Sequence, residues 1–298
     1  MATSTAEATT TAAELTEKIR VAVPERGLRQ DIRAVGIVWR RELIRFRTDR
    51  LRAITSLIQP VLFLFVLGTG LSTLAGRGLP AGVNFKTFIY PGVLAMSVLF
   101  TAIFSAASIV WDREFGFLRE MLVAPVSRAA LVIGKCLGGA TVATLQGIVM
   151  LALAGFAGVP YSLGLMATLI CELLLLSFTL TAFGVMMAAR IKQMQAFMAL
   201  TQMLVMPLFF LSGALYPLSN LPAWLTVLTR IDPLTYIVAP MRTAVFSHLN
   251  IGPLAEHILA PGVTWWGWTV PVLFSLAIVA AMGFALLGVA IAEFRRTE

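Results

Sequence analysis

Charge is what this 298-residue chain has least of: Asp, Glu, Lys and Arg make up 13% of it, against 58% hydrophobic residues and a mean hydropathy of +0.87. Soluble domains carry about 25% charged and about 45–50% apolar residues, so this composition excludes a water-soluble globular protein and places the chain in lipid. Two cysteines and two histidines leave little for nucleophile or metal chemistry. Cys136 and Cys171 fall at different depths of two apolar runs, a poor geometry for a disulfide and a good one for small apolar packing. His248, Glu256 and His257 lie close together but match no metal-ligand spacing, so no metal site is expected. No G-x-x-x-x-G-K-[ST] occurs, so the chain shows no phosphate loop of its own for binding ATP. An early apolar core is also missing. Residues 1–23 are rich in Ala, Thr and Glu, which is not the pattern of a secretory signal, and residues 1–25 read as a disordered tail.

What is present is long apolar runs. A bilayer core of about 30 Å needs about 20 helical residues at about 1.5 Å each. Six runs meet that length: residues 54–74, 88–110, 131–157, 163–189, 195–215 and 266–292. The 23 Lys and Arg divide very unevenly between the two sides these runs define, 19 on the side of the termini and four (Arg77, Lys86, Arg230, Arg242) on the other. By the positive-inside rule both termini are expected to be cytoplasmic, and an even number of spans requires them to share a side. The formal charge of +8 is explained by this one-sided bias, and no nucleic-acid partner is expected.

Between the runs, four stretches carry pattern. Over residues 26–53, Ile32, Val35, Trp39, Leu43 and Phe46 recur every three or four positions among arginines, which predicts a basic amphipathic helix lying at the membrane interface. Residues 54–298 form the six-span domain, with Pro60 kinking the first span. From Trp111 to Arg128, Phe115, Leu118 and Leu122 sit at helical spacing among Asp112, Arg113, Glu114, Arg119 and Glu120, with Gly116, Phe117 and Met121 alongside. This predicts a short amphipathic helix, stopped by Pro125, with Ser127 able to cap the helix that follows. From Phe210 to Arg242 the chain is apolar enough to enter the membrane, yet Gly213, Pro217, Pro222, Pro233 and Pro240 interrupt it, which predicts a re-entrant pair of short helices. Trp265, Trp266 and Trp268 are placed to anchor the last span at one interface, and Phe294, Arg295 and Arg296 at the other. Met194, Met198, Met203 and Met206 in and before the fifth span read first as packing and second as an adaptable binding surface. Glu172, an acid roughly nine residues (about 13 Å) inside the fourth span, is a site for cationic cargo, half of a structural pair with a donor such as Arg242, or a protonated and silent group.

Two of these segments carry a family resemblance. Arg113, Glu114, Phe115, Gly116 and Leu118, followed by Leu122, Pro125, Ser127 and Arg128, match the first signature of the permease subunits of type-2 ATP-binding-cassette exporters. Ser212, Gly213, Tyr216, Pro217, Leu221, Pro222, Trp224 and Leu225, then Pro233, Leu234, Thr235, Tyr236 and Arg242, match the second, and Arg41 to Leu43 with Gln59 and Pro60 a third. From about residue 35 to its end the chain resembles this family, and within it the daunorubicin-resistance branch. Asp232 departs from the pattern, since the family commonly has Asn before this proline.

The resemblance implies an all-α membrane protein of six transmembrane helices. It implies an interfacial helix before the first, a cytoplasmic coupling helix between spans two and three, and outer re-entrant helices between spans five and six. It also implies a permease dimer, here a homodimer, in a bacterial inner membrane, docked on two copies of a separate ATPase subunit that holds ATP and Mg. The chain itself would then be no enzyme and would have no cofactor. The expected cargo is a hydrophobic or amphiphilic small molecule of the drug or antibiotic type; a lipid or polysaccharide exporter of the same fold is the near alternative. A proton-driven secondary transporter is a further alternative, but no internal repeat is seen and Glu172 is the one acid placed well inside a span. Phe115, Leu118 and Leu122 are expected to carry the docking energy, with Arg113 and Glu120 as rim charges.

Overall fold

In lipid a backbone must satisfy its own polar groups, so long apolar runs fold as helices. The computed structural model of the chain describes residues 27–72, 83–116, 126–219, 221–249, 251, 252, 255, 258–265 and 267–296. Among them are α1 (Leu28–Thr48), α2 (Arg50–Leu62), α3 (Phe85–Ser105), α4 (Ala107–Glu114), α5 (Arg128–Leu151), α6 (Leu163–Arg190), α7 (Met194–Leu211), α8 (Ala223–Ile231), α9 (Thr235–Ser247) and α10 (Val272–Arg296). A two-stranded hairpin, β1 (Thr264–Trp265) and β2 (Trp268–Thr269), pairs antiparallel between α9 and α10. Six stretches are long and apolar enough to cross a membrane: Ala53–Gly70, Phe85–Glu114, Arg128–Leu151, Leu163–Arg190, Met194–Leu211 and Val272–Arg296. The number expected from the sequence holds. The expected tail over residues 1–25 and the greater part of the expected coupling helix, from Phe117 through Arg119, Glu120 and Met121 to Leu122 and Pro125, lie outside the described residues, as do Glu256, His257 and Trp266.

Several ends differ from expectation for local reasons. The second span runs on to Glu114, past the expected end at 110, because Arg113 and Glu114 are held by neighbouring helices. The third begins at Arg128, where the Ser127 hydroxyl accepts from the amide of Ala130 as expected of a cap, and ends at Leu151, six residues before its expected end. A 3-10 turn at Ala154–Ala157 follows. The fifth ends at Leu211, where the Ser212 hydroxyl turns the chain and Gly213 takes a left-handed φ of 72°. The last begins at Val272 and not at 266, since Trp265 and Trp268 are spent on the β-hairpin.

Burial separates a core from a shell. Over an 18-residue apolar stretch of each span, 78% of the second, 67% of the third and 44% of the fourth is buried within the chain, but only 17%, 22% and 17% of the first, fifth and sixth. Tyr90, Val93, Leu94, Leu99, Leu169 and Leu173 belong to the central cluster. The first span is irregular: Pro60 lies within α2 and removes the amide that would bond the carbonyl of Ser56, and a π turn follows at Phe63–Leu67.

The amphipathic α1 docks on another helix through residues outside the apolar stripe expected to lie at the membrane interface. Val38 and Glu42 are its buried residues, while Ile32 and Trp39 stay exposed. A Cβ on Gly134 would meet Val38 at 2.8 Å, and one on Gly138 would meet Glu42 at 2.7 Å. These two glycines let α1 lie close along α5, and Trp39 Nε1 ties the pair by donating to Thr141 Oγ1 at 3.1 Å. An outward apolar stripe is thereby left on α1 in addition to its protein contact.

Candidate functional site

The functional geometry starts at the basic end, where both described termini emerge and the first signature begins. Lys135 is a charge inside an apolar helix, and such a charge needs partners. Its Nζ stands 2.8 Å from Glu42 Oε1 on α1, 2.8 Å from Asp112 Oδ2 on α4, and 2.8 Å from Ser108 Oγ. Arg41 Nη2 reaches the same Asp112 oxygen at 2.5 Å. Glu42, Asp112 and Lys135 are all buried. This network joins α1, α4 and α5, and its pairings went unrecognised from the sequence. A lysine at the fifth position of the apolar run 131–157 was the available signal.

Arg113 and Glu114 complete the binding-together. The last carbonyls of any helix lack internal donors. Arg113 Nη1 donates to the carbonyls of Ala188 and Ile191, each at 2.8 Å, and Nη2 to that of Ala189 at 3.3 Å, capping α6 with a cation where its dipole favours one. Glu114 Oε2 accepts from the amide of Met194 at 3.0 Å and so caps the start of α7 with an anion. On the far side of the undescribed stretch, Arg128 donates to the carbonyls of Phe294 and Arg295 at the end of α10. Arg113, expected as a rim charge, is therefore tied into the fold. Phe115 and Gly116 follow it directly; Phe115 is exposed and 5.1 Å from the ring of Trp111, and Gly116 has a left-handed φ of 82°.

The second signature assembles at the opposite end. Arg242 is buried with its guanidinium 4.3 Å above the ring of Phe88, and donates to the carbonyls of Gly213 (2.7 Å), Ala214 (3.1 Å) and Tyr216 (3.3 Å). It holds the turn after α7 against α3. Asp232 is buried between α8 and α9 and accepts from the Leu234 amide at 3.0 Å and the Thr235 hydroxyl at 3.4 Å. Burial pushes its carboxyl up to about 7, against the opposing pull of those two hydrogen bonds. Tyr236 donates to the carbonyl of Arg230 at 2.8 Å and accepts from Trp265 Nε1 at 3.0 Å, which accounts for Trp265 facing protein. Ser212, Gly213, Tyr216, Tyr236 and Arg242 are thus brought into one lattice. Pro217, Leu221 and Pro222 lie in the connecting turns, Pro233 begins the turn into α9, and Trp224 on α8 is exposed.

Glu172 is not part of a pair with Arg242, because that guanidinium is committed to three carbonyls. Glu172 is 1% exposed, and neither of its carboxyl oxygens has a hydrogen-bond partner among the described residues. His248 is exposed and its Nδ1 lies 2.9 Å from the carbonyl of Ala244. Among the described residues no cluster of three His, Cys, Asp or Glu could hold a metal ion. The arrangement offers helix coupling at one end and a rigid lattice at the other, with no assembled catalytic group in the described residues.

Comparison with known proteins fits that arrangement. Ycf38 of Cyanophora paradoxa, which carries the name transport permease, is 27% identical over 221 residues, 73% of this chain and 75% of its own length. Nodulation protein J of Rhizobium leguminosarum bv. viciae is 27% identical over 233 residues, 75% of this chain and 89% of its own. YbhR of Escherichia coli K12, named as a multidrug ABC transporter permease, is 31% identical over 157 residues, 52% of this chain and 42% of its own. The profile of the ABC-2 type transporter family matches residues 33–246, a stretch that holds both signatures and the buried network of Glu42, Asp112 and Lys135, and the chain therefore belongs to the ABC-2 type transporter family of multi-pass membrane permeases.

Proposed function

We propose that this chain is the membrane subunit of an ATP-driven exporter, working as a homodimer on two copies of a separate ATPase that holds ATP and Mg. Its basic end faces the cytoplasm of a bacterial cell, and residues 113–122 form the element on which the ATPase pushes. One observation carries this reading. The segment from Phe115 to Ser127 is flanked by residues bonded into every layer of the basic end: Asp112 into α1 and α5, Arg113 into α6, Glu114 into α7, and Arg128 into α10. A displacement of that segment moves several helix ends together, as a change of cavity shape driven from outside requires. A cargo responds to the change only if its affinity differs between the two arrangements.

The cargo is proposed to be a hydrophobic or amphiphilic small molecule, as the daunorubicin-like resemblance implies. The likeness to a permease named for multidrug transport supports a drug, over half of this chain. A lipid or polysaccharide cargo is the alternative reading.

The test is co-purification and transport with the ATPase. Phe115→Ala together with Leu118→Ala, in a monodisperse sample, is expected to detach the ATPase or uncouple hydrolysis from transport. An apolar anchor carries more binding energy than the solvated charges around it. Full binding and transport by this double variant would overturn the assignment of the coupling segment.

A further inference from the structure

A cavity of about 380 Å³ opens in the basic half of the chain, enclosed by α1, α2, α3, α4, α5 and α7. Its polar wall is unusual for lipid depth. Gln59 on α2 and Gln202 on α7 both line it, roughly 9 Å and 12 Å along their spans from the basic end at about 1.5 Å per residue. Gln59 is half-buried and Gln202 is exposed on the chain's surface at that depth, and neither carboxamide makes a hydrogen bond to the described residues. An amide left without a partner in an apolar medium is costly, so two facing one cavity call for something polar between them.

The remaining wall defines the chemistry. Ser56, Thr101 and Ser105 line the cavity and spend their hydroxyl protons on backbone carbonyls of their own helices, Ala53, Ser97 and Ala102. The oxygens of Thr101 and Ser105 are left as acceptors, while that of Ser56 already accepts from Gln146 Nε2 at 2.9 Å. With the two amides, which both donate and accept, the wall matches a group carrying several hydroxyls. Glu42, Arg45 and Asp49 also line the cavity; the charge of Glu42 is balanced by Lys135 at 2.8 Å, and Arg45 and Asp49 stand four residues apart with opposite charges, so the wall adds no net charge from this pair. Phe46, Phe100, Phe104 and Val142 supply an apolar wall, with the rings of Phe100 and Phe104 stacked at 6.2 Å. One surface thus offers hydrogen bonds and the other apolar contact.

We infer that this cavity binds an uncharged amphiphile with a polyhydroxylated head, the head between Gln59 and Gln202 and the first part of its chain against Phe100 and Phe104. The inference rests on the exporter reading for its purpose and names the cargo class that reading leaves broad. It concerns a site within one chain, so it is testable without the ATPase.

The probe is octyl glucoside bearing a diazirine on its chain, with the full chain in lipid nanodiscs and labelled peptides read by mass spectrometry. Labelling is expected on peptides containing Gln59, Thr101 or Gln202, and Gln59→Leu with Gln202→Leu should lower it at least about tenfold, since two sets of hydrogen bonds are lost. Unlabelled octyl glucoside should compete at about tenfold lower concentration than octyltrimethylammonium, which has the tail and a head without hydrogen bonds. Thr101→Val is the second variant if the double one is not monodisperse, and should also weaken labelling. Undiminished labelling in the variants, or equal or better competition by the ammonium amphiphile, would overturn the site. Labelling as expected with no ATP-dependent transport would leave the site standing and sink the exporter reading. Transport without labelling would do the reverse.

Discussion

Asp232 shows how one side chain can make this membrane protein sensitive to pH. Its carboxyl is raised by burial to about 7, so the folded state holds the proton more tightly than the unfolded chain, where a carboxyl titrates near pH 4. The sign follows: stability is greatest below about pH 4 as far as this group decides it, and is lost as pH rises through about 7. Asp232→Asn keeps an acceptor for the Leu234 amide and removes the titration. The thermal midpoint of the purified chain is expected to fall between pH 5 and pH 8 in the parent and to flatten in the variant, a window of about three units around the raised value; an unchanged slope would refute the assignment. Glu172 is the contrasting acid. With no hydrogen bond to either oxygen there is none to lose, so Glu172→Gln is expected to alter stability by less than about 1 kcal/mol, the net worth of one hydrogen bond, as read from the unfolding midpoint. A large loss would expose a partner for this carboxyl.

At the scale of elements, the first signature does two jobs on adjacent residues. Phe115 points into solvent, while Arg113 and Glu114 cap α6 and α7. The caps hold the connection at residues 191–193 and set where the fifth span begins. Arg113→Ala leaves the three carbonyls of Ala188, Ala189 and Ile191 without this donor, and is expected to cost about 1–3 kcal/mol, seen as a lower thermal midpoint. Arg113→Lys should recover only part of it, because an ammonium cannot reach in two directions as a guanidinium does. Equal stability of the alanine variant and the parent would show that water replaces the arginine without loss. The α1–α5 contact rests on a different device, the absence of Cβ at Gly134 and Gly138.

For the whole molecule the two ends differ in kind. At the far end Arg242, Asp232 and Tyr236 lock short helices to the core, while at the basic end charge pairs join helices that belong to different layers. The basic end is the one proposed above to transmit movement, and Lys135 is the centre of its charge network. Lys135→Met strands Glu42 and leaves Asp112 to Arg41 alone, so a loss of about 3–5 kcal/mol is expected, as for one partner removed from a buried pair. Adding Glu42→Met should restore part of that loss, because no stranded carboxylate then remains on α1. A double variant no more stable than the single one would show that Glu42 was never balanced by Lys135.

Hydropathy over some twenty residues is a local property, and it determined by itself that the chain crosses the membrane and how many times. Pro60 in the first span and Ser127 before the third were legible for the same reason, since a missing amide and a capping hydroxyl act within one turn of helix. Partners of buried charges were not legible. Lys135 meets Glu42 across 93 positions and Arg113 meets Ala188 across 75, and which helices adjoin follows from close packing at small residues such as Gly134 and Gly138. The seam of α1 passes through Val38 and Glu42 because that side, and not the regular apolar stripe, faces those glycines. From the sequence, a donor such as Arg242 was one of the partners open to Glu172. Tertiary structure alone decided that the arginine takes backbone carbonyls, because the turn after α7 brings three of them within reach of one guanidinium.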